Sequence, residues 1–464
     1  MYEFRERRCS KFKISKGQTF RGQDLIIMKN PTVILSTERR VKMMKSFFAI
    51  LTLFVFLFSL GMVSKATAQD RPWVLGVTVP LTGAYADEAE DQVRAATLAV
   101  EEINAAGGIL GRKIKMVVED TRLKPDIAVQ KARKLIEKDG VHVIVGEVSS
   151  GNTVAMAAET QKANVFHMGM AGSDDATGKN CHRHFFTVDP SAHQMAYGTI
   201  SVFLDEIKGP KKWVFITSDY TWGHTSYNGA IRALKERNAT VVGNILSPLA
   251  CPDYTPYLTK AMQSGAEVLG GIVYGGDQQK LLTQANEFGL KKKMQIVMIV
   301  GCQSANWASG PDVMEGIYAG LPWDWNIPYP HAKELGEKCL KRFGSPPAWS
   351  ASQVYASIIV AFDVIRRTGN PPEKFNADLC VWLAEGLKYK VTKGWEQFRE
   401  CDHRAIQEFF VGVGKNKKEM KNKFDMFKIV GHVTGPKLML TCPETQCKLE
   451  PYTNLDKETI WVEQ

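Results

Sequence analysis

The chain has 464 residues, a formal net charge of +10 and a sequence pI near 9.0. Residues 1–68 hold 13 Lys/Arg against 4 Asp/Glu, so the rest is nearly neutral and the basic balance gives no argument for a nucleic-acid partner. The remaining length suits two core-forming lobes, and after residue 63 no apolar run approaches a membrane span.

Residues 1–41 are basic and lack a periodic pattern, which reads as an unstructured leader or as sequence upstream of a true start at Met43 or Met44. Residues 42–68 read as a secretory signal peptide: Lys42 and Lys45, an uncharged apolar stretch over 47–63, and the cleavage site Ala66-Thr67-Ala68. An uncleaved anchor is the rival reading, since that stretch is close to the shortest spanning length of about 17 residues. Gln69 is not Cys, so the lipoprotein route is not indicated. Cleavage before Gln69 places the mature chain in the periplasm.

From Trp73 the pattern is regular. Val74 to Val79 is a short apolar run ended by Pro80, and Leu81-Thr82-Gly83 is a turn. Val93, Ala96, Val100 and Ile103 fall at helical spacing, Asn104 and Gly107-Gly108 stop that helix, and Lys113 to Glu119 is the next strand. The result is a β-α-β unit whose loop sits where open α/β sheets bind ligands. The segments Pro80-Leu81-Thr82-Gly83-Ala84-Tyr85-Ala86 and Ile103-Asn104-Ala105-Ala106-Gly107-Gly108-Ile109-Leu110-Gly111 resemble the type I periplasmic solute-binding proteins of branched-chain amino acid ABC importers, the Leu/Ile/Val-binding group. The resemblance runs from Arg71 to the C-terminus. It implies an α/β fold of two doubly wound lobes around a ligand cleft: lobe 1 over about 69–189 with a returning segment over 315–400, and lobe 2 over 190–314 with the C-terminal segment.

The strand over 141–145 leads into Gly146-Glu147-Val148-Ser149-Ser150-Gly151-Asn152-Thr153 and a helix of small residues. Strand, polar Gly-containing turn and helix make a place for an anion, because free N–H groups and the helix dipole face it. The Lys of a nucleotide-binding loop is missing, which excludes that reading; plain helix capping is the other alternative. The resemblance implies that Ser149, Ser150 and Gly151 grip a ligand carboxylate, with Ser150 as the principal hydroxyl. It adds Met170, Ala171, Gly172 and Ser173 after the next strand. Gly172 stands where relatives carry Thr, so a hydroxyl contact there is expected from Ser173. Cys181-His182-Arg183-His184 is a lone metal-like cluster without a second pair at zinc spacing, and is read as a loop near a disulfide; no metal or cofactor is expected.

Phe185 to Pro190 resembles the crossover into the second lobe. Asp219-Tyr220-Thr221-Trp222-Gly223 follows a buried strand and precedes a helix expected over about 226–236; Tyr220 and Trp222 are expected as an aromatic wall, with local packing of Trp222 as the alternative. Asp253-Tyr254-Thr255-Pro256 starts another helix. Tyr274 matches a cleft-lining aromatic, and Asp277 reads as a helix cap. Gln303 stands where amino-acid-binding relatives carry a Glu for the ligand's ammonium. A buried ammonium needs an opposite charge or strong dipoles, so this departure opens the way to carboxylates lacking the amine. Glu88, where relatives carry an aromatic, is a compensating candidate, and Tyr85 completes the ligand-binding set.

Eight cysteines follow the signal segment, an even number that suits disulfides and leaves 105 connectivities open. Cys442 with Cys447, flanking a Pro-containing loop, is the preferred pair, and Cys380 with Cys401 the second. Arg399-Glu400-Cys401-Asp402-His403-Arg404 is close to the family's R-x-x-D-H-Q segment, and Asp402 with His403 reads as a structural polar pair. No Gly-x-Ser-x-Gly or His-Glu-x-x-His signature points to an enzyme. The resemblance implies a monomeric binding component that presents a small carboxylate to membrane permease subunits. A ligand sensor for a chemotaxis or two-component receptor is the alternative.

Overall fold

A computed structural model of the chain describes residues 71–209, 211–453 and 455. The expected leader and signal peptide lie outside the described residues. The run W-V-L-G-V-T-V forms β1 (Trp73–Val79), buried along its whole length. It pairs in parallel with β2 (Ile114–Asp120) and β3 (Val143–Gly146), and β4 (Phe166–Gly169) and β5 (Phe185–Thr187) extend the sheet. A continuous apolar run suits a strand covered on both faces, as in parallel sheets wrapped by helices. The strand order is β2-β1-β3-β4-β5, so successive connections leave β1 in opposite directions and a crevice opens between the ends of β1 and β3.

The second sheet repeats this arrangement. Strands β6 (Lys212–Ser218), β7 (Thr240–Ser247), β8 (Val268–Ile272), β9 (Gln295–Met298) and β10 (Tyr318–Leu321) stand in the order β7-β6-β8-β9-β10, all parallel. The switch point lies between β6 and β8. Two antiparallel strands, β14 (Phe409–Gly414) and β15 (Phe427–Val433), close the β10 edge. A small antiparallel sheet is made by β11 (Lys388–Tyr389), β12 (Glu396–Phe398) and β13 (Ala405–Ile406). β10 pairs with β9, so the second sheet extends past residue 315 to Leu321.

The helix Trp349–Thr368 is buried from Trp349 to Ile365 and packs against the helix Ala86–Ala105 and against β3 and β4. This long apolar element therefore closes one face of the first sheet.

Several expectations are corrected. The helix after β6 spans Thr221–Glu236 and begins earlier than expected; within its first turn Thr225 Oγ1 bonds back to the carbonyls of Thr221 and Trp222. Asp277 does not cap its helix: its Oδ2 accepts the Ala250 N–H (2.8 Å), and Gly275 occupies the cap position with φ 61°. Asp402 and His403 are not partners. Asp402 pairs with Arg399, while His403 contacts Glu385 (2.9 Å) and stacks on Phe186 with ring centroids 3.9 Å apart.

The disulfides join Cys181 to Cys447 and Cys401 to Cys442. Cys442 and Cys447 are near neighbours in sequence, yet each fastens the C-terminal segment to a different part of the fold. Cys380 is not bridged; it lies fully buried in the helix Ala377–Ala384, where burial pushes its thiol up. Cys181 is spent in its bridge, and among the described residues no group of three His, Cys, Asp or Glu is placed to hold a metal.

Candidate functional site

The two switch points face each other, and the loops that leave them surround one narrow hollow. Tyr85 comes from the loop after β1, Val148 and Ser150 from the turn after β3, and Gly172 from the loop after β4. Across from them stand Tyr220 and Trp222 after β6, Tyr274 after β8 and Val300 after β9. Asp189 from the crossover, Met195 from the helix Ala192–Ile207 and Trp349 from the long helix complete the wall.

The floor is built at the turn after β3. Ser150 is the first residue of the helix Ser150–Lys162, so the helix N-terminus, with its partial positive charge, opens beside the hollow. Ser150 Oγ accepts the Ser173 N–H at 3.0 Å. With that lone pair engaged, its own O–H remains a donor. Behind the turn lies Glu147, wholly buried, which accepts the Thr121 hydroxyl and the Ser149 N–H (3.1 Å). Burial pushes its carboxyl up to about 7 although these donors pull it down.

A second brace comes from far along the chain. The buried Arg404 guanidinium donates to the carbonyls of Ala171 (3.0 Å), Ser173 (2.9 Å) and Asp189 (2.9 Å) and to Thr177 Oγ1 (2.8 Å). One side chain thereby holds the loop after β4 against the crossover.

The lobes meet directly. The hydroxyls of Tyr85 and Tyr220 are 3.2 Å apart, the Gly276 N–H donates to the Ala84 carbonyl (3.0 Å), and the rings of Tyr85 and Tyr274 meet edge to face. A Cβ on Gly275 would lie 2.6 Å from the Tyr85 ring, so glycine permits this approach. Burial raises the phenols of Tyr85, Tyr220 and Tyr274 above their ordinary value, which keeps them neutral.

Of the residues singled out in the sequence, Tyr85, Ser150, Gly172, Tyr220, Trp222 and Tyr274 share the hollow. The others sit behind it or to one side. Ser149, Gly151, Met170, Ala171 and Ser173 are off the wall; Ser173 turns its hydroxyl to the Asp175 N–H instead. Gln303 is committed to the Trp323 carbonyl (2.7 Å) and the Trp349 N–H (3.1 Å). Glu88 accepts from Ser304 Oγ (2.7 Å), Cys302 Sγ (2.9 Å) and the Ser350 hydroxyl, and so joins the two lobes beside the hollow rather than lining it. A Cβ at Gly172 would lie 2.9 Å from the Trp222 ring, so glycine permits the indole's approach there. Val148, Asp189, Met195, Val300 and Trp349 were not anticipated. A strand-end rule points toward Val148 and Val300, but nothing in the pattern marks the other three.

Comparison with known proteins fits this geometry. Residues 72–419 match the family model described as periplasmic binding protein. A Leu/Ile/Val-binding protein homolog 8 of Brucella suis biovar 1 (strain 1330) is 29% identical over 354 residues, covering 71% of this chain and 84% of the relative. The amino acid ABC transporter substrate-binding protein of Pseudomonas fluorescens Pf-5 superposes with TM-score 0.76 at 25% identity, over 82% of this chain and 99% of its own. A solute-binding protein of an ABC transporter from Rhodopseudomonas palustris BisB5, solved with 3,4-dihydroxybenzoic acid, shares the fold with TM-score 0.70 at 20% identity, over 78% of this chain and 98% of that one.

Proposed function

The chain belongs to the periplasmic binding protein family, and from that premise we propose that it captures a small carboxylate outside the cytoplasmic membrane and presents it to the permease of an ABC importer. The ligand class is a branched-chain amino acid or a related organic or aromatic acid. One observation carries the reading: loops from two facing switch points enclose a hollow where a helix N-terminus and the Ser150 hydroxyl stand opposite aromatic side chains. A carboxylate against Ser150 gains charge-assisted hydrogen bonds, and an apolar tail gains contact with Tyr220, Trp222 and Tyr274. Because the walls belong to different lobes, a ligand touching both favours the closed form, which is hinge closure. The two disulfides suit an oxidising compartment.

Binding rather than catalysis is the role assigned. Among the described residues on the wall, Ser150 has no histidine beside it to act as base. The test is calorimetric titration of the purified protein with leucine, isoleucine, valine, benzoate, 4-hydroxybenzoate and short fatty acids. Saturable binding of at least one, lost in Ser150→Ala, is expected; no binding to any overturns the reading.

A further inference from the structure

The chain passes from the second lobe to the first once more after its second sheet is complete. β15 ends at Val433 on the edge of that sheet. Leu438, fully buried, then packs on the helix Ala192–Ile207, where a Cβ on Gly198 would lie 3.3 Å from Leu438 Cδ2. That helix belongs to the second lobe, since Thr199 Oγ1 donates to the Ile299 carbonyl (2.8 Å) just beyond β9. From Cys442 onward the covalent anchors are on the first lobe. Cys442 is bridged to Cys401, two residues before His403, which stacks on Phe186 of β5 and accepts the Thr187 N–H at its carbonyl (3.2 Å). Cys447 is bridged to Cys181, Glu450 accepts the Arg183 N–H (2.9 Å), and Asp378 accepts the Thr453 N–H (2.8 Å). All of this lies beyond the stretch matched to the family model, which ends at residue 419.

Chain length decides which bridge matters. Leu438 and Cys442 are four residues apart, so the step between the lobes reaches at most about 14 Å when fully extended. With the Cys401–Cys442 bridge open, the next covalent anchor is Cys447, nine residues from Leu438, and the reach grows to about 31 Å. The other ties along the step are weaker. Arg399 Nη1 donates to the Leu440 carbonyl (2.6 Å), and Glu444 pairs with Arg232 of the second lobe (3.0 Å) on the exposed surface, where an ion pair contributes little. Cys442 is exposed, whereas Cys181 of the other bridge is buried, so a reductant in solution has readier access to the Cys401–Cys442 bridge.

We propose that residues 439–442, closed by the Cys401–Cys442 bridge, form a redox-sensitive tether that limits how far the two lobes open. Hinge opening separates the Leu438 anchor from the Cys401 anchor and stops when the step is taut. A dithiol reductant passes two electrons to the bridge: the S–S bond breaks, each cysteine sulfur takes a proton from the reductant, and the reductant's own sulfurs close into a disulfide. The slack then extends to Cys447 and the lobes swing further. A tethered pair of lobes has less freedom to lose on closing, so the bridged form is the one preorganised to close on a solute. The proposal is independent of which solute is captured.

The test is small-angle scattering of the ligand-free protein. Treatment with dithiothreitol followed by alkylation is expected to raise the radius of gyration. The same upward shift is expected from Cys401→Ser/Cys442→Ser, and from six Gly and Ser residues inserted between Met439 and Leu440 with both bridges intact. Cys181→Ser/Cys447→Ser leaves the short step closed and is expected to scatter like the unaltered protein. The insertion is decisive, because a bridge that only stabilises the surface of the first lobe is untouched by it. Equal radii for the inserted and unaltered proteins overturn the proposal. So does an expansion in Cys181→Ser/Cys447→Ser as large as in Cys401→Ser/Cys442→Ser. Circular dichroism separates opening from unfolding, and expansion that appears only with loss of helical ellipticity also overturns it.

Discussion

The Tyr85 hydroxyl lies 3.2 Å from the Tyr220 hydroxyl, which makes this pair a hydrogen-bonded bridge between the first loop of one lobe and the first loop of the other. Each residue follows the first strand of its sheet, so the two switch points are tied at their closest approach. Tyr85 is buried and Tyr220 half-buried, and a hydroxyl out of full reach of water that loses its partner is costly. In a double-mutant cycle with Tyr85→Phe and Tyr220→Phe, we expect a coupling of about 0.5–1.5 kcal/mol. We also expect a larger radius of gyration in small-angle scattering of the ligand-free double variant. A coupling of zero with unchanged scattering would show that the bridge does not hold the lobes together.

The Gly172–Trp222 contact predicts a steric effect. A Cβ at 172 comes within 2.9 Å of the indole, and Trp222 is too buried to swing aside freely. Gly172→Thr is expected to destabilise the protein by about 1–3 kcal/mol, the usual cost of overpacking. It should also displace the Trp222 ring from the hollow, seen as altered tryptophan fluorescence. An unperturbed emission spectrum together with unchanged stability would remove this explanation for the glycine.

The disulfides predict both a map and a cost. A non-reducing digest should yield linked peptides containing Cys181 with Cys447 and Cys401 with Cys442. Cys447→Ser and Cys442→Ser should each lower unfolding free energy by about 2–4 kcal/mol in urea titrations. Recovery of a Cys442–Cys447 linkage would contradict the fold of the C-terminal segment.

Glu147 predicts a pH effect. Its carboxyl ordinarily titrates near 4.5 and is pushed up to about 7 in the folded protein, chiefly by burial. Between those values the folded state keeps the proton while the unfolded state has released it, so this group's contribution to stability falls as pH rises. Glu147→Gln removes that contribution and should flatten the decline by up to about 1.4 kcal/mol per pH unit in this window. A slope identical to that of the unaltered protein would show that Glu147 titrates normally. His167 and His193, both pushed down to about 4 by burial, act in the opposite direction and are common to both proteins.

Much of the architecture is legible in the sequence because parallel strands leave continuous apolar runs and the helices between them keep helical spacing. Tyr85, Ser150, Tyr220, Trp222 and Tyr274 are legible because each directly follows such a run, and strand ends are where these sheets gather ligands. Asp189 is not, because a crossover carries no periodicity and its Asp-Pro reads as a turn. Trp349 escapes for a different reason: it reaches the hollow from a helix N-terminus whose apolar pattern marks only its core face. Arg404 lies in a segment where a neighbouring Asp and His draw attention, although the guanidinium does the bracing. Disulfide partners 266 residues apart leave no trace in spacing, so proximity in sequence points to the wrong pair.

The central claim is that the hollow between the lobes holds the solute, and the most direct measurement is a crystal structure of the protein with whichever titrated ligand binds most tightly. The account predicts ligand density between Ser150 and Tyr274, with the lobes closed over it. Density confined to another surface, with the hollow between Ser150 and Tyr274 left empty, would contradict it.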